Sequence, residues 1–252
     1  MKKVLMITAA GMVLAAASCS PDAQKAGKNR TGPIKVVVVT AGHDFERDAF
    51  FTLFEGYDDI EYVEKEQKDQ SEIFEDISGW DYDVIVLYNM TDGISEKRKQ
   101  NFLKLLDDGV GVVALHHSIA SFQYWPEYKK IIGWKFYLKK TTEDGVLHEK
   151  SGYQHGVDIP IKVAKVGHPV TRGLSDFTIN DEVYNGQSFE PDNVVLLTTD
   201  QPLSDKTLCS VRKYANANIC CIQPGHGPGA FNDPNYRRLV VQAIRWCAGR
   251  SE

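Results

Sequence analysis

A chain of 252 residues, 42% of them hydrophobic, can bury a full core, and its length alone does not demand a second domain. The 34 acidic residues outnumber 29 basic ones for a net of −5, a sign that argues against nucleic acid or anionic lipid as the main partner. No internal repeat or low-complexity run is present.

The N-terminus opens with Lys2 and Lys3, continues with the apolar run VLMITAAGMVLAAA, and reaches Ser18-Cys19. That is the pattern of a secretory signal over residues 1–18, with a core too short to span a bilayer. The run Leu14-Ala-Ala-Ala-Ser18 before Cys19 resembles the bacterial lipobox, which implies cleavage before Cys19 and a lipid on it. Ser20 in place of Asp favours, by resemblance to known sorting rules, the outer membrane, with the domain facing the periplasm. Residues 19–33 then read as the lipidated cysteine and a flexible tether, so the membrane is met through the anchor only. Loss of residues 1–18 removes two lysines and no acids and leaves a net of −7.

The body, 34–252, begins with IKVVVVT (34–40), a β-branched run suited to a strand buried on both faces of a parallel sheet. A second such run is DVIVLY (83–88). Ser95 then caps a helix EKRKQNFLKLLDD whose Phe102, Leu105 and Leu106 share a face, Gly109 ends it, and VGVVAL (110–115) makes a third strand. Strand, helix and strand in about thirty residues is a right-handed βαβ unit. Between about 120 and 190 the pattern loosens into an elaboration on the core, with WPEYKKIIG, a polar loop KKTTEDG, and the alternating VDIPIKVAK and FTIND. NVVLLTTD and TLCSVRKY lead to a last strand, NICCIQ. The final helix has Asp233 as cap, Pro234 at its first position, and Tyr236, Leu239, Val240, Ala243 and Cys247 on one face. Cys209, Cys220, Cys221 and Cys247 lack metal spacing, and in a hairpin about ANAN Cys209 is not opposite Cys220 or Cys221; all four read as buried small apolar residues.

In an open parallel α/β sheet, ligands bind outside the carboxyl ends of the strands. The residues just past the four strands are Gly42-His43-Asp44, Asn89, His116-His117-Ser118 and Pro224-Gly225-His226-Gly227, so three of four ends deliver histidine. Consecutive residues at a strand end point to opposite sides, and the reading favours His117 in the crevice with His116 packed behind it. Further candidates lie in the elaboration: His148, His155 with Tyr153, His168 before Pro169, and Asp181, Glu182 and Tyr184, of which at most one of the adjacent acids is expected to join the histidines. No GxSxG elbow, P-loop or GxGxxG motif is present. Cofactor content is open: imidazoles with one carboxylate can hold a divalent metal, although no HExxH spacing occurs.

The segments TAGHDFE, ALHHSIASFQYWPEYKKIIGWKF, SGYQHGVDIPIKVAKVGHPVTRGLSDFTINDEVYNG and CIQPGHGPGAFNDPNYRRLVVQAIRWCAG, spread over nearly all of 34–249, resemble the ThuA-like (trehalose utilisation) family. The resemblance implies the fold of class I glutamine amidotransferases, a flavodoxin-like doubly wound, mostly parallel sheet with helices on both faces. Those relatives carry a catalytic cysteine in the turn after the strand matching 110–115. Leu115-His116-His117-Ser118 stands there instead, which removes thiolate chemistry.

The resemblance also implies sugar metabolism, in pathways that oxidise a glycoside to its 3-keto form. A ketone at C3 acidifies the C2 proton, so a histidine-rich site suits proton abstraction with departure of the C1 oxygen, as lyase or hydrolase. Carried onto this chain, His117 is the expected base, His226 or Glu182 the acid, and His43 or a metal the stabiliser of the enolate, while His116, His155, His168, Tyr184 and Asn89 are expected to bind substrate. The alternatives are a sugar-binding lipoprotein, with Trp80, Tyr124, Trp125, Tyr128 and Trp134 as stacking faces, and a structural module without a site. The oligomeric state is not legible.

Overall fold

The structure, a computed structural model, describes residues 32–143 and 145–250. The expected signal sequence, Cys19 and nearly all of the expected tether lie outside the described residues. Thirteen strands and five helices follow in order: β1 (Ile34–Ala41), α1 (Arg47–Phe51), β2 (Ile60–Glu66), β3 (Val84–Asn89), α2 (Glu96–Asp107), β4 (Gly111–Leu115), α3 (Pro126–Ile132), β5 (Trp134–Lys135), β6 (Thr141–Glu143), β7 (Val146–His148), β8 (Gly152–Val163), β9 (Phe177–Asn185), β10 (Ser188–Phe189), β11 (Val194–Thr199), β12 (Thr207–Tyr214), β13 (Ala217–Ile222), α4 (Pro228–Phe231) and α5 (Pro234–Cys247).

Nine strands form one sheet in the order β2-β1-β3-β4-β13-β12-β11-β8-β9. The first five run parallel and carry the mixed α/β core. The remaining pairs are antiparallel. The elaboration at 120–190 therefore continues the sheet through β8 and β9, while β5 with β10 and β6 with β7 form two small ribbons.

The β-branched runs behave as expected of strands covered twice. Val36 and Val38 pack with Phe50 of α1 and Leu239 and Val240 of α5 on one face. Val37 and Val39 pack with Phe102 of α2 and Ile131 of α3 on the other. Each fully buried valine or leucine in these layers is worth about 1.5–3 kcal/mol. At the antiparallel end β8 alternates instead, with Val157, Ile159 and Ile161 buried and the residues between them exposed, because only one of its faces is covered.

The helix ends match their sequence signals. Ser95 Oγ accepts from the backbone of Arg98, and Asp233 accepts from Asn235 and Tyr236 with Pro234 in the first turn. The four described cysteines are buried and free; Cys209 pairs with Ile222 across the β12–β13 hairpin, as the offset requires. Trp125, Tyr128 and Trp134, candidates for stacking on a ligand, are core residues, and only Tyr124 among that group is largely exposed.

Candidate functional site

The parallel strands end where their sequence expectations put them, and their ends converge. β1 delivers His43, β4 delivers His116 and His117, and the turn after β13 delivers His226. His43 lies 4.5 Å, ring centre to ring centre, from His117 in a stacked arrangement and 5.8 Å from His226. Glu182 and Tyr184 come from β9, the far edge of the sheet order, yet they reach the same point.

His116 is the hub. Its φ of +50° places a non-glycine residue in the left-handed region at the turn out of β4, a strained conformation that throws the ring inward. Nδ1 donates to the Gln223 carbonyl at 2.7 Å, which assigns a proton to that nitrogen. Nε2 faces Glu182 Oε2 at 2.8 Å, the Tyr184 hydroxyl at 2.9 Å and His226 Nδ1 at 3.3 Å. Gln223 also reaches back, its amide donating to the Glu182 carbonyl at 3.0 Å, so the hub and its carboxylate are braced by one residue.

Glu182 is buried, with Oε2 also 3.2 Å from His226 Nδ1 and Oε1 3.6 Å from His155 Nδ1. Burial works to raise its carboxyl, but hydrogen bonds and positive charge from His116 and His226 outweigh this and hold it well below the usual carboxylate range. The same hydrogen bond to Glu182 raises His226, against its partial burial. His155 owes its position to a β-bulge. The β8–β9 register slips between Gln154 and Val157, so His155 and Gly156 together face Glu182, and the ring lies 4.5 Å from that of His226.

The turn carrying His226 is held by three buried groups. Asp181 accepts from the backbone of Gly225 at 2.5 Å and of His226 at 3.0 Å. The Tyr88 hydroxyl donates to the Gly225 carbonyl at 2.8 Å, and the Tyr236 hydroxyl to that of Pro224 at 2.9 Å. Burial pushes the Asp181 carboxyl up, opposed by His116 and the backbone N–H groups it accepts from. Asp181 and Glu182 thus divide their work, one fixing the backbone and the other receiving imidazoles, and neither belongs to a solvated pair.

His117, expected in the crevice, is instead only 2% exposed. The chain leaves β4 as a 3-10 turn over His116–Ala120 rather than continuing extended, so the two-sided alternation of a strand does not apply. Nε2 donates to the Tyr88 carbonyl at 3.1 Å, and Nδ1 is buried without a hydrogen-bond partner. Burial first, then the charge of His116 and His43, lowers His117 well below the ordinary imidazole range. His168 is not shown in contact with the cluster: it caps the 3-10 turn Pro169–Thr171 and packs on Trp246. His148 stacks on Tyr137. Asn89 is buried at the end of β3 with its side-chain NH2 donating to Thr91 Oγ1 and its side-chain Oδ1 without a hydrogen-bond partner.

His43, His155 and part of His226 are the solvent-facing members of the cluster. Beside His43 opens a hollow of about 660 Å³ lined by Asp44, Phe45, Arg47, Glu66 and Gln67. Sequence reasoning missed Tyr88, Tyr236 and Gln223 as supports; Tyr88 and Gln223 end strands already read as site-facing, which is the signal that could have found them.

The fold places the chain among known proteins. A ThuA-like protein from Parabacteroides merdae superposes with a TM-score of 0.70 at 22% identity, covering 86% of this chain and 90% of that one. One from Bacteroides uniformis gives 0.62 at 22% identity, covering 88% and 95%. A β-galactosidase from Bacillus circulans sp. alkalophilus gives 0.55 at 10% identity, covering 86% of this chain and 31% of that one. No curated protein matches the chain. The sequence profile described as trehalose utilisation spans residues 35–247, from the first strand through the last helix and so across every residue of the cluster, and on that match the chain belongs to the ThuA family.

Proposed function

We propose that this protein is an enzyme acting on a carbohydrate, a sugar or 3-keto-glycoside, by proton transfer, as a lyase or hydrolase. The observation that carries the reading is the gathering of five imidazoles and one ionised, buried carboxylate at the carboxyl ends of the parallel strands. The strand order β2-β1-β3-β4-β13 with helices on both faces supports the flavodoxin-like description, whose binding crevice lies at that edge.

A ketone at C3 of a pyranose makes the C2 hydrogen acidic. Its removal leaves an enolate, and collapse of the enolate expels the C1 oxygen once that oxygen is protonated. The groups that can meet a sugar are the exposed rings, so the base expected at His117 and the acid expected at His226 or Glu182 pass to His43 and His155. Each lies close to His226, at 5.8 and 4.5 Å, and the pair supplies a base and an acid to a bound ring. His117 stacks under His43 and holds its plane. The His226–Glu182–His116 centre faces the developing enolate oxygen and stabilises its charge. Asp44, Arg47, Glu66 and Gln67 in the adjoining hollow supply the polar partners that sugar hydroxyls need. A two-carboxylate glycosidase fits poorly, since Asp181 is spent on backbone N–H groups.

The test is incubation of the purified protein with a panel of glycosides and their 3-keto forms. Product from a keto form, falling at least tenfold in both His43→Ala and His155→Ala, supports the reading. Saturable sugar binding without product would make the protein a binder.

A further inference from the structure

We infer that His116, Glu182 and His226 form a binding site for one divalent first-row transition ion, held through His116 Nε2, Glu182 Oε2 and His226 Nδ1. The inference concerns metal binding by itself and does not depend on the sugar reading.

Three observations carry it. The first is spacing. The donor atoms lie 2.8, 3.2 and 3.3 Å from one another. Bonds of about 2.1 Å at the angles of a tetrahedral or octahedral ion put neighbouring donors about 3.0–3.4 Å apart, so this set needs little adjustment to close on a cation.

The second is proton accounting. His116 Nδ1 is committed to the Gln223 carbonyl, which in the neutral ring leaves Nε2 as a bare lone pair. That lone pair faces a carboxylate oxygen, a second ring nitrogen and the Tyr184 hydroxyl, whose single proton can satisfy only one acceptor of the group. One proton on Nε2 can serve one of these neighbours; a cation at their centre serves both ring nitrogens and the carboxylate. A ring N–H on a backbone carbonyl, opposite a nitrogen aimed at a carboxylate, is also the arrangement that orients a metal-ligating histidine.

The third is support. Gln223 braces His116 and the backbone of Glu182, and Asp181, Tyr88 and Tyr236 brace the turn of His226, so the donors are held before any ion arrives. The site is open on one side only: His116 and Glu182 are buried while the His226 side chain is 31% exposed. A water or a substrate oxygen can complete the shell there, and His155 Nδ1 stands within reach as a further donor, 3.6 Å from Glu182 Oε1. Two imidazoles and one carboxylate favour zinc, iron, cobalt or manganese over magnesium or calcium, which prefer all-oxygen shells.

The test uses zinc as probe. The purified, tag-free protein is stripped with chelator, dialysed, and titrated with ZnCl2 by calorimetry, with Glu182→Gln and His226→Ala alongside. Wild type should bind one equivalent, with affinity at least tenfold weaker in each variant whose circular dichroism matches wild type. Because both His226→Ala and the near-isosteric Glu182→Gln are used, loss of fold in one leaves the other informative; wild type alone decides if both misfold. Absence of saturable zinc binding in wild type, or unchanged affinity in a folded variant, overturns the site. No sugar is present, so the result stands apart from any turnover assay.

Discussion

Asp181 meets the cluster through the backbone N–H groups of Gly225 and His226, and the architecture makes it the residue on which His226 depends. Replacing it with Asn leaves the shape nearly unchanged and removes the charge. The carboxylate accepts from two backbone N–H groups, those of Gly225 and His226, in a setting only 5% exposed. Hydrogen bonds to a charged group contribute about 1.5–3 kcal/mol each, and an amide can keep one of them, as a neutral bond worth about 1 kcal/mol. Its NH2 must then confront the second N–H, which is left without a partner. Part of the loss is returned because burying an amide costs less than burying a carboxylate. The net is a destabilisation of about 2–3 kcal/mol, which at 2–4 °C per kcal/mol for a domain of this size lowers the melting temperature by about 4–12 °C. Melting followed by circular dichroism reads the stability, and keto-glycoside turnover below the new transition reads the displacement of His226. A melting temperature within 1 °C of wild type together with full turnover would show that the turn holds itself and that the reasoning is wrong.

Gly225 has φ +128° and a Cβ there would lie 2.2 Å from the Tyr236 hydroxyl, so Gly225→Ala should destabilise by about 2–4 kcal/mol in urea unfolding. Adding Tyr236→Phe should recover part of that loss, since the backbone strain stays while the clash is relieved; no recovery would place the cost elsewhere. Cys209, Cys220, Cys221 and Cys247 are buried, and burial pushes Cys209, Cys221 and Cys247 well up, so mass spectrometry should find all four unmodified by a thiol reagent in the native protein and all modified in denaturant. His168 is lowered from the ordinary imidazole value by burial and then by Lys165. The unfolded chain therefore binds a proton at higher pH than the folded one, and stability falls as pH drops through 6.5 toward the folded value. His168→Gln should flatten that part of the stability–pH curve, and an unaltered slope would remove His168 as its source.

Periodicity made the covered part of the sheet legible. IKVVVVT, DVIVLY and VGVVAL have no polar alternation because helices pack on both sides of them, and the residues that follow each are therefore candidate site residues by topology. Three things were not legible. The left-handed His116 turned the chain into a 3-10 turn that buries both His116 and His117, and no glycine marked the spot. The bulge at His155-Gly156 re-aims one side chain by a local slip of register, which neither strand records by itself. Glu182 arrives from the opposite edge of a nine-strand order, a contact between residues 66 apart in sequence that depends on how the sheet is built. His168 shows the converse: a histidine inside a family segment whose Nδ1 serves only to cap a short turn.

The proposed reaction turns on proton removal from carbon beside a ketone, and the most direct measurement is the fate of that hydrogen. A 3-keto-glycoside labelled with tritium at C2 is incubated with the protein, and label in water is counted against product formed. Proton transfer predicts that, at complete conversion, all of the tritium is released for the product formed, with both release and product lost in His43→Ala and His155→Ala. Product that forms while the label stays at C2 would contradict it.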